Sequence, residues 1–151
     1  MTHIDDFTTP SYIDFGTPNP AVMATSPDDI VYLPIQSENK FWGQSIQGVR
    51  FGTEMNDQTE YKLEDDLIFD TGASCIIGPD AQISSIRQKV HSLLKTRLYQ
   101  LAEFSVWDGL FACSEKSNLP EIEFLIGGYW FTVQTEDYVH SLTHDDCSLC
   151  L

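Results

Sequence analysis

The residues best suited to chemistry are an Asp-Thr-Gly triplet at 70–72, which lies between two apolar runs. Leu67–Phe69 precedes the triplet, and Ile76 and Ile77 follow it. Burying an unpaired carboxylate between such runs is costly in free energy. Carboxylates held in settings of this kind cluster at functional sites. The pattern therefore predicts that Asp70 is a desolvated, reactive group rather than a surface acid.

A turn is the competing interpretation of the same triplet. Asp bonds to its own backbone and Gly adopts positive φ, so Asp-Thr-Gly also occurs in ordinary turns. The flanking residues favour the functional interpretation. A surface turn does not need hydrophobic neighbours on both sides, whereas a reactive loop held between two core strands does.

The four cysteines allow further kinds of chemistry. Cys75 is expected to be a buried thiol that packs as a small hydrophobic residue. A nucleophilic Cys75 paired with His91 is an alternative that no accompanying motif supports. Residues 147–150 form a C-x-x-C, which occurs in redox and zinc sites, and His140 and His144 lie nearby. No second pair has zinc spacing, so we expect no metal and solvated histidines.

Composition limits the partners of the chain. The 23 acidic and 8 basic residues give a net charge of -15, which repels phosphate backbones, so no nucleic-acid partner is expected. The length of 151 residues suits one domain. Its 12% aromatic content helps to fill a core, and we expect the tryptophans at positions 42, 107 and 130 in that core or at its edge. No segment approaches 18 apolar residues, so no spanning helix is expected.

The pattern of apolar and turn residues predicts a β-rich chain. Residues 1–29 form an irregular entry segment with one short strand at Tyr12–Phe15, and residues 30–151 form the main unit. Gly127 and Gly128 predict a hairpin turn. Further strands are expected at Ile30–Ile35, Phe41–Phe51, Glu60–Leu63, Leu67–Phe69, Phe104–Phe111, Ile122–Ile126 and Tyr129–Val133.

One helix is expected after Gly78. Pro79 suits the first helical turn, and Asp80 favours the positive end of the helix. Apolar residues then recur at helical spacing: Ile83, Ile86, Val90, and Leu93 or Leu94.

Several motifs in order resemble the C-terminal lobe of a pepsin-like aspartic protease. The second active-site segment of that family has two hydrophobic residues, Asp-Thr-Gly, Thr or Ala, Ser, apolar residues and often Gly-Pro. The segment Leu67–Pro79 follows this pattern throughout. Other positions resemble family strand motifs: Phe41-Trp42, Ile46, Val49 and Gly52 upstream, and Cys113, Leu119–Phe124, Ile126–Gly128, Tyr138 and Cys147 downstream. The resemblance covers roughly residues 11–147.

The resemblance implies both a fold and a reaction. The fold is all-β with one or two short helices, in a partial double-psi type β-barrel or sandwich, with Cys113 and Cys147 joined by a disulfide. The reaction is aspartic-type endopeptidase chemistry, in which two carboxyl groups share a proton and activate water against a peptide bond. It needs no cofactor, and its substrate is a peptide or protein.

The resemblance also implies roles for individual residues. Asp70 matches the catalytic aspartate of the second lobe, Thr71 and Gly72 support the loop around it, and Ser74 supplies a nearby hydroxyl. Position 73 is Ala, where many relatives have Thr. We expect this loss of a hydroxyl to shift the pH optimum rather than abolish activity.

A complete enzyme of this kind needs parts that this sequence lacks. The triplet at 70–72 is the only Asp-Thr-Gly, and a first lobe and a Tyr-bearing flap are expected elsewhere. The chain is therefore expected to be truncated at both ends and inactive alone, requiring a missing N-terminal lobe or a second copy. The start of the sequence lacks a secretory signal, but the resemblance implies a secreted, lysosomal or vacuolar protein.

Three functions remain open at this point. The first is one lobe of an aspartic endopeptidase. The second is a non-catalytic homologue that binds peptides or a partner. The third is a homodimer of the retroviral protease type, in which two copies of Asp70 face each other.

Overall fold

A computed structural model describes residues 15–16, 30–35, 40–52, 61–97 and 110–151 of the chain. The described part is mostly β-sheet, so the predicted all-β class is confirmed. Its elements, in chain order, are β1 Gly43–Phe51, β2 Tyr61–Ile68, α1 Asp80–Arg97, β3 Leu110–Ala112, a 3-10 helix Cys113–Asn118, β4 Ile122–Ile126, β5 Tyr129–Val133, α2 Thr135–Tyr138, β6 Val139–Ser141 and β7 Asp146–Leu149.

Four antiparallel strands form the larger sheet, in the order β2-β1-β4-β5. Both pairings of β1 shift register between Ile46 and Gly48, so the strand carries a bulge there. β4 and β5 form a hairpin whose turn residues, Gly127 and Gly128, have φ values of 58° and 83°. Positive φ at both positions is the reason for two glycines, and the predicted hairpin is confirmed.

Helix α1 begins where the sequence predicts. The carbonyl of Pro79 accepts hydrogen bonds from the amides of Gln82 and Ile83, both at 3.0 Å, and Asp80 lies in the first turn. The helical apolar residues Ile86, Val90 and Leu93 are buried in one cluster with β1 residues such as Val49 and Phe51. The helix therefore closes the core against the larger sheet.

A smaller sheet has the order β3-β7-β6, so β7 is its central strand. Cys147 of β7 pairs with Phe111 on one side and Ser141 on the other, and it is fully buried. A disulfide joins Cys147 to Cys113, the pair that the family resemblance implies. Within the described residues both sheets are open, rather than closed into a barrel.

Three of the predicted strands differ from the structure for identifiable reasons. Ile30–Ile35 contains no strand, because most of its side chains are exposed and Pro34 has no amide to donate. The strands predicted at Glu60–Leu63 and Leu67–Phe69 are parts of one strand, β2, which holds residues 61–63 and 67–68 of them. Glu60 lies outside the described residues, and Phe69 follows the end of the strand. The acidic residues between them, Asp65 and Asp66, pair with β1 and expose their side chains, so their polarity does not interrupt the strand.

Some short polar elements are not predicted by the sequence pattern. β6, β7 and α2 lack a long apolar run, and β7 also pairs with β3, which lies far from it in the sequence. Of the predicted strand at Tyr12–Phe15, residues 12–14 lie outside the described residues, as do residues 104–109 of the strand predicted at Phe104–Phe111.

Candidate active site

The Asp-Thr-Gly triplet forms a tight turn just beyond the end of β2. The amide of Phe69 donates to the carbonyl of Trp42 at 2.9 Å, which extends the pairing of β2 with β1 by one residue. Asp70 follows at once. The amide of Gly72 donates to Asp70 Oδ1 at 2.8 Å, and the amide of Ala73 donates to the Asp70 carbonyl at 3.1 Å. The aspartate therefore closes the turn through both its side chain and its backbone.

Glycine at position 72 is required by this close approach. A Cβ atom built on Gly72 would lie 3.2 Å from Asp70 Oδ1, which is tighter than an ordinary van der Waals contact. A larger residue would therefore require the Asp70 carboxylate to shift by a few tenths of an ångström. The triplet thus holds one carboxylate oxygen in a defined direction and leaves the other available.

The predicted desolvation of Asp70 is wrong for this chain. Asp70, Thr71, Gly72 and Ser74 are all exposed. The apolar residues on either side do not enclose the loop, because β2 is the edge strand of its sheet and the turn lies beyond the end of that strand. Two surface grooves in the described part, including one of about 650 Å³ between α1 and the larger sheet, are lined by other residues.

The turn is instead flanked by exposed apolar side chains, which we call the apolar rim. Their exposed fractions are 61% for Phe41, 70% for Trp42, 47% for Ile68, 54% for Phe69 and 82% for Ile77. Exposed groups of large apolar side chains mark interaction surfaces in soluble proteins. The apolar rim is an exposed group of this kind.

The tryptophans have different environments. Trp42 is far more exposed than a core or edge aromatic, so that prediction is wrong for Trp42. Trp130 is half-buried and lies under the guanidinium of Arg50, 4.1 Å from the ring centroid. Trp107 lies outside the described residues.

The cysteine predictions need two corrections. Cys75 is not a thiol, because it forms a disulfide with Cys150, and for the same reason it cannot serve as a nucleophile with His91. The C-x-x-C at 147–150 is not a redox or zinc pair, because Cys147 is bonded to Cys113 instead. Connectivity between cysteines cannot be deduced from their spacing alone.

The described residues contain no group of three or more His, Cys, Asp or Glu side chains that could hold a metal ion. His144 is exposed and His140 is half-buried. None of the helices in the described ranges is long and apolar enough to cross a membrane.

The chain belongs to the eukaryotic aspartyl protease family, whose family model matches residues 5–151. It is similar to napsin-A from Homo sapiens, with 32% identity over 84 residues that cover 56% of this chain and 18% of that protein. It is also similar to cathepsin D from Clupea harengus, with 26% identity over 123 residues, or 82% of this chain and 28% of that protein. A third relative is the aspartic protease Bla g 2 from Blattella germanica, 24% identical over 112 residues, or 74% and 28% of the two chains.

The matched regions span between 18% and 28% of the length of these three relatives. The family membership confirms the resemblance given by the sequence motifs. The two disulfides agree with a protein that folds in an oxidising compartment, such as the secretory route, rather than in the cytosol.

Proposed function

We propose that this chain is the C-terminal lobe of an aspartic endopeptidase and that Asp70 is one of its two catalytic carboxyl groups. The observation that carries the proposal is the exposed Asp70 carboxylate, held at the end of β2 by the Gly72 amide at 2.8 Å. Oδ1 of this carboxylate is held by the Gly72 amide and the side chain is exposed, so a second carboxyl group can approach it. Membership of the aspartyl protease family supports the same reaction.

Two facing carboxyl groups cannot both ionise, so they share one proton. The ionised group accepts a proton from a water molecule, while the protonated group donates a hydrogen bond to the carbonyl oxygen of the scissile peptide bond. The two groups exchange roles as the tetrahedral intermediate collapses. In this proposal Asp70 supplies one group, the Gly72 amide orients it, and Thr71 and Ser74 supply hydroxyls to the loop.

The second carboxyl group comes from a missing N-terminal lobe. The apolar rim supports this assignment, because burial against another polypeptide would stabilise these five exposed apolar side chains beside the proposed catalytic turn. The covering lobe would also exclude water from Asp70 and form one wall of a cleft for an extended peptide. We propose a secreted, lysosomal or vacuolar location, in keeping with the two disulfides.

The test is a complementation assay at acid pH with a fluorogenic peptide that has hydrophobic residues on both sides of the cut. The chain is assayed alone and together with a first lobe that carries its own Asp-Thr-Gly, such as the corresponding lobe of a relative. We expect no cleavage by the chain alone and pepstatin-sensitive cleavage by the pair. In the pair, Asp70→Asn is expected to lower kcat by at least about 1,000-fold.

Asp66→Asn is the matched control, because Asp66 is an exposed acid on β2, four residues before Asp70. It should retain activity, and circular dichroism should show both variants folded. Activity that survives Asp70→Asn would overturn the proposal. If a homodimer of the chain alone shows pepstatin-sensitive cleavage, the second carboxyl group comes from a second copy rather than from an N-terminal lobe. If the pair binds the peptide without cleaving it, the chain is a non-catalytic homologue.

A further inference from the structure

The Cys75–Cys150 disulfide lies unusually close to the proposed catalytic residue. Cys75 is five positions after Asp70, and its partner is the penultimate residue of the sequence. The bond therefore connects the loop that holds Asp70 to a segment 75 residues further along the chain. Neither the catalytic chemistry nor the formation of the Asp70 turn requires it.

Two further contacts join the same parts of the molecule. The amide of Ile76 donates to the carbonyl of Cys150 at 3.0 Å, directly beside the disulfide. Arg87, on α1, donates to the carbonyl of Leu151. The chain that leaves the Asp70 turn is thus attached to residues 150–151 by one covalent bond, one backbone hydrogen bond and one side chain from the following helix.

Residues 150–151 are themselves held firmly. Cys150 and Leu151 are both buried, and the amide of Cys150 donates to the carbonyl of Tyr138 at 2.7 Å. Tyr138 is fully buried and its hydroxyl donates to the carbonyl of Pro120. Just before this segment, β7 is the central strand of the smaller sheet and carries the disulfide from Cys147 to Cys113. An attachment to Cys150 is therefore an attachment to the core.

Within the described ranges, the Asp70 turn has few other restraints. The two hydrogen bonds described there, from the amides of Gly72 and Ala73, are both internal to the turn, so they shape it without fixing its position. Its N-terminal end is fixed by the bond from Phe69 to Trp42. Its C-terminal end is fixed at Cys75 and Ile76. The place of the carboxylate relative to the two sheets depends on these two ends.

We propose that the Cys75–Cys150 disulfide is a positioning element for Asp70, which holds the C-terminal end of the catalytic turn against the smaller sheet. Its catalytic consequence rests on the function proposed above. A second carboxyl group contributed by another lobe must meet Asp70 within hydrogen-bond distance. A turn free at one end would sample many positions, and small misplacements of reacting groups slow a reaction strongly.

Amide hydrogen exchange on the isolated chain tests the positioning directly. The variant Cys75→Ala/Cys150→Ala removes the proposed element, and Cys113→Ala/Cys147→Ala is the matched control because it removes a disulfide without touching the turn. We expect the first variant to speed exchange of the Ile76 amide, which bonds to Cys150, by about 100-fold, with amides of β4 changed less than about threefold. The control should instead speed exchange in β3 and β7 and change exchange of Ile76 much less.

A uniform change across all amides in the first variant would overturn the proposal, because the disulfide would then contribute only to overall stability. Unchanged exchange of the Ile76 amide would overturn it as well. Should the double variant fail to fold, the unmodified chain decides the question: the Ile76 amide must exchange about as slowly as core amides of β4. Exchange of Ile76 within seconds would contradict the proposal.

Kinetics of the pair formed with a first lobe separate positioning from the proposed function. Removing Cys75 and Cys150 should lower kcat about 10- to 100-fold with KM changed less than threefold, whereas the Cys113/Cys147 control should keep kcat within about threefold. One outcome is that exchange at Ile76 responds to loss of the disulfide as expected, while Asp70→Asn leaves the activity of the pair unchanged. Asp70 would then have no catalytic role, and the positioning effect of the disulfide would remain supported. The opposite outcome is that Asp70→Asn abolishes activity, while exchange at Ile76 does not change when the disulfide is removed. The catalytic role of Asp70 would then be supported, and the positioning proposal would be overturned.

Discussion

The amide of Gly72 donates a hydrogen bond to the carboxylate of Asp70 at 2.8 Å, so the turn orients its own acid. This contact uses two residues that are only two positions apart, and it does not need the rest of the fold. A short sequence motif can therefore specify the direction of a carboxylate oxygen. The position of the whole turn requires contacts that the motif does not contain.

Gly72→Ala should lower catalysis while leaving the fold intact. The new Cβ would lie 3.2 Å from Asp70 Oδ1, so the carboxylate would have to shift by a few tenths of an ångström. We expect kcat of the complemented enzyme to fall about 10- to 100-fold. We expect the urea midpoint of the chain to change little, because the turn is exposed.

Gly78→Ala is the control for this change. It is the same substitution in the same segment, but its new Cβ would meet the side chain of Ile83 at 3.3 Å rather than the carboxylate. Equal loss of kcat in both variants would show that the segment, not the Asp70 carboxylate, is sensitive to added volume.

The apolar rim should affect the affinity between the two lobes and have little effect on the stability of the chain. Trp42 is 70% exposed, so Trp42→Ser removes few contacts within the chain and the free energy of unfolding should change by less than about 0.5 kcal/mol. Burial of the same indole by a first lobe would make it a central contact. We therefore expect the dissociation constant of the two lobes to rise about 30-fold or more, measured by isothermal titration calorimetry.

Tyr32→Ser serves as the comparison, because Tyr32 is a similarly exposed aromatic that does not belong to the apolar rim. Its affinity for the first lobe should stay within about threefold of the unmodified chain. If the two variants weaken association equally, general surface hydrophobicity rather than the rim drives the contact.

The sequence predicts local structure well and connections between distant segments poorly. The β4–β5 hairpin and α1 follow from the glycine pair and from the apolar spacing after Pro79, which act within a few residues. The exposure of Asp70 and the disulfide of Cys75 depend on where other segments lie. Apolar residues on both sides of the triplet predict burial within the chain, but apolar residues at an interface have the same pattern.

The half-buried ion pair of the larger sheet should contribute to the stability of that sheet. Arg50 and Glu123 are opposite each other on β1 and β4, and the guanidinium donates to both carboxylate oxygens, at 2.7 and 2.9 Å. The Glu123 side chain is only 7% exposed. Glu123→Ala would remove these two charge-assisted hydrogen bonds from Arg50, so we expect the free energy of unfolding to fall by about 2 kcal/mol in urea titrations.

Glu121→Ala controls for the loss of an acidic residue next to β4, and it should cost less than about 1 kcal/mol because Glu121 is only half-buried and precedes the strand. A further variant, Arg50→Met/Glu123→Leu, removes both charges and should recover much of the lost stability. If the double variant is no more stable than Glu123→Ala, lost packing of the Glu123 stem rather than the lost ion pair explains the lower stability.

Tyr138 should make the chain sensitive to alkaline pH. Burial is the main cause that raises the pKa of Tyr138 well above its ordinary value, so the phenol stays protonated in the folded chain, where its hydroxyl donates to the carbonyl of Pro120. In the unfolded chain it ionises near pH 10. Its contribution to stability is therefore complete below about pH 10 and is lost as the pH rises above that value. Urea titrations should show the free energy of unfolding falling by up to about 1.4 kcal/mol per pH unit above pH 10 from this group.

Tyr138→Phe separates this titration from the other alkaline effects. The variant should be less stable at pH 8 by about 1 kcal/mol, because it loses the hydrogen bond to Pro120, but its stability should fall less steeply above pH 10. Tyr129→Phe is the control, since Tyr129 is exposed on β5, and it should keep the slope of the unmodified chain. Parallel pH profiles for the unmodified chain and Tyr138→Phe would show that the buried phenol does not control alkaline unfolding, and that the segment preceding Cys150 opens before Tyr138 ionises.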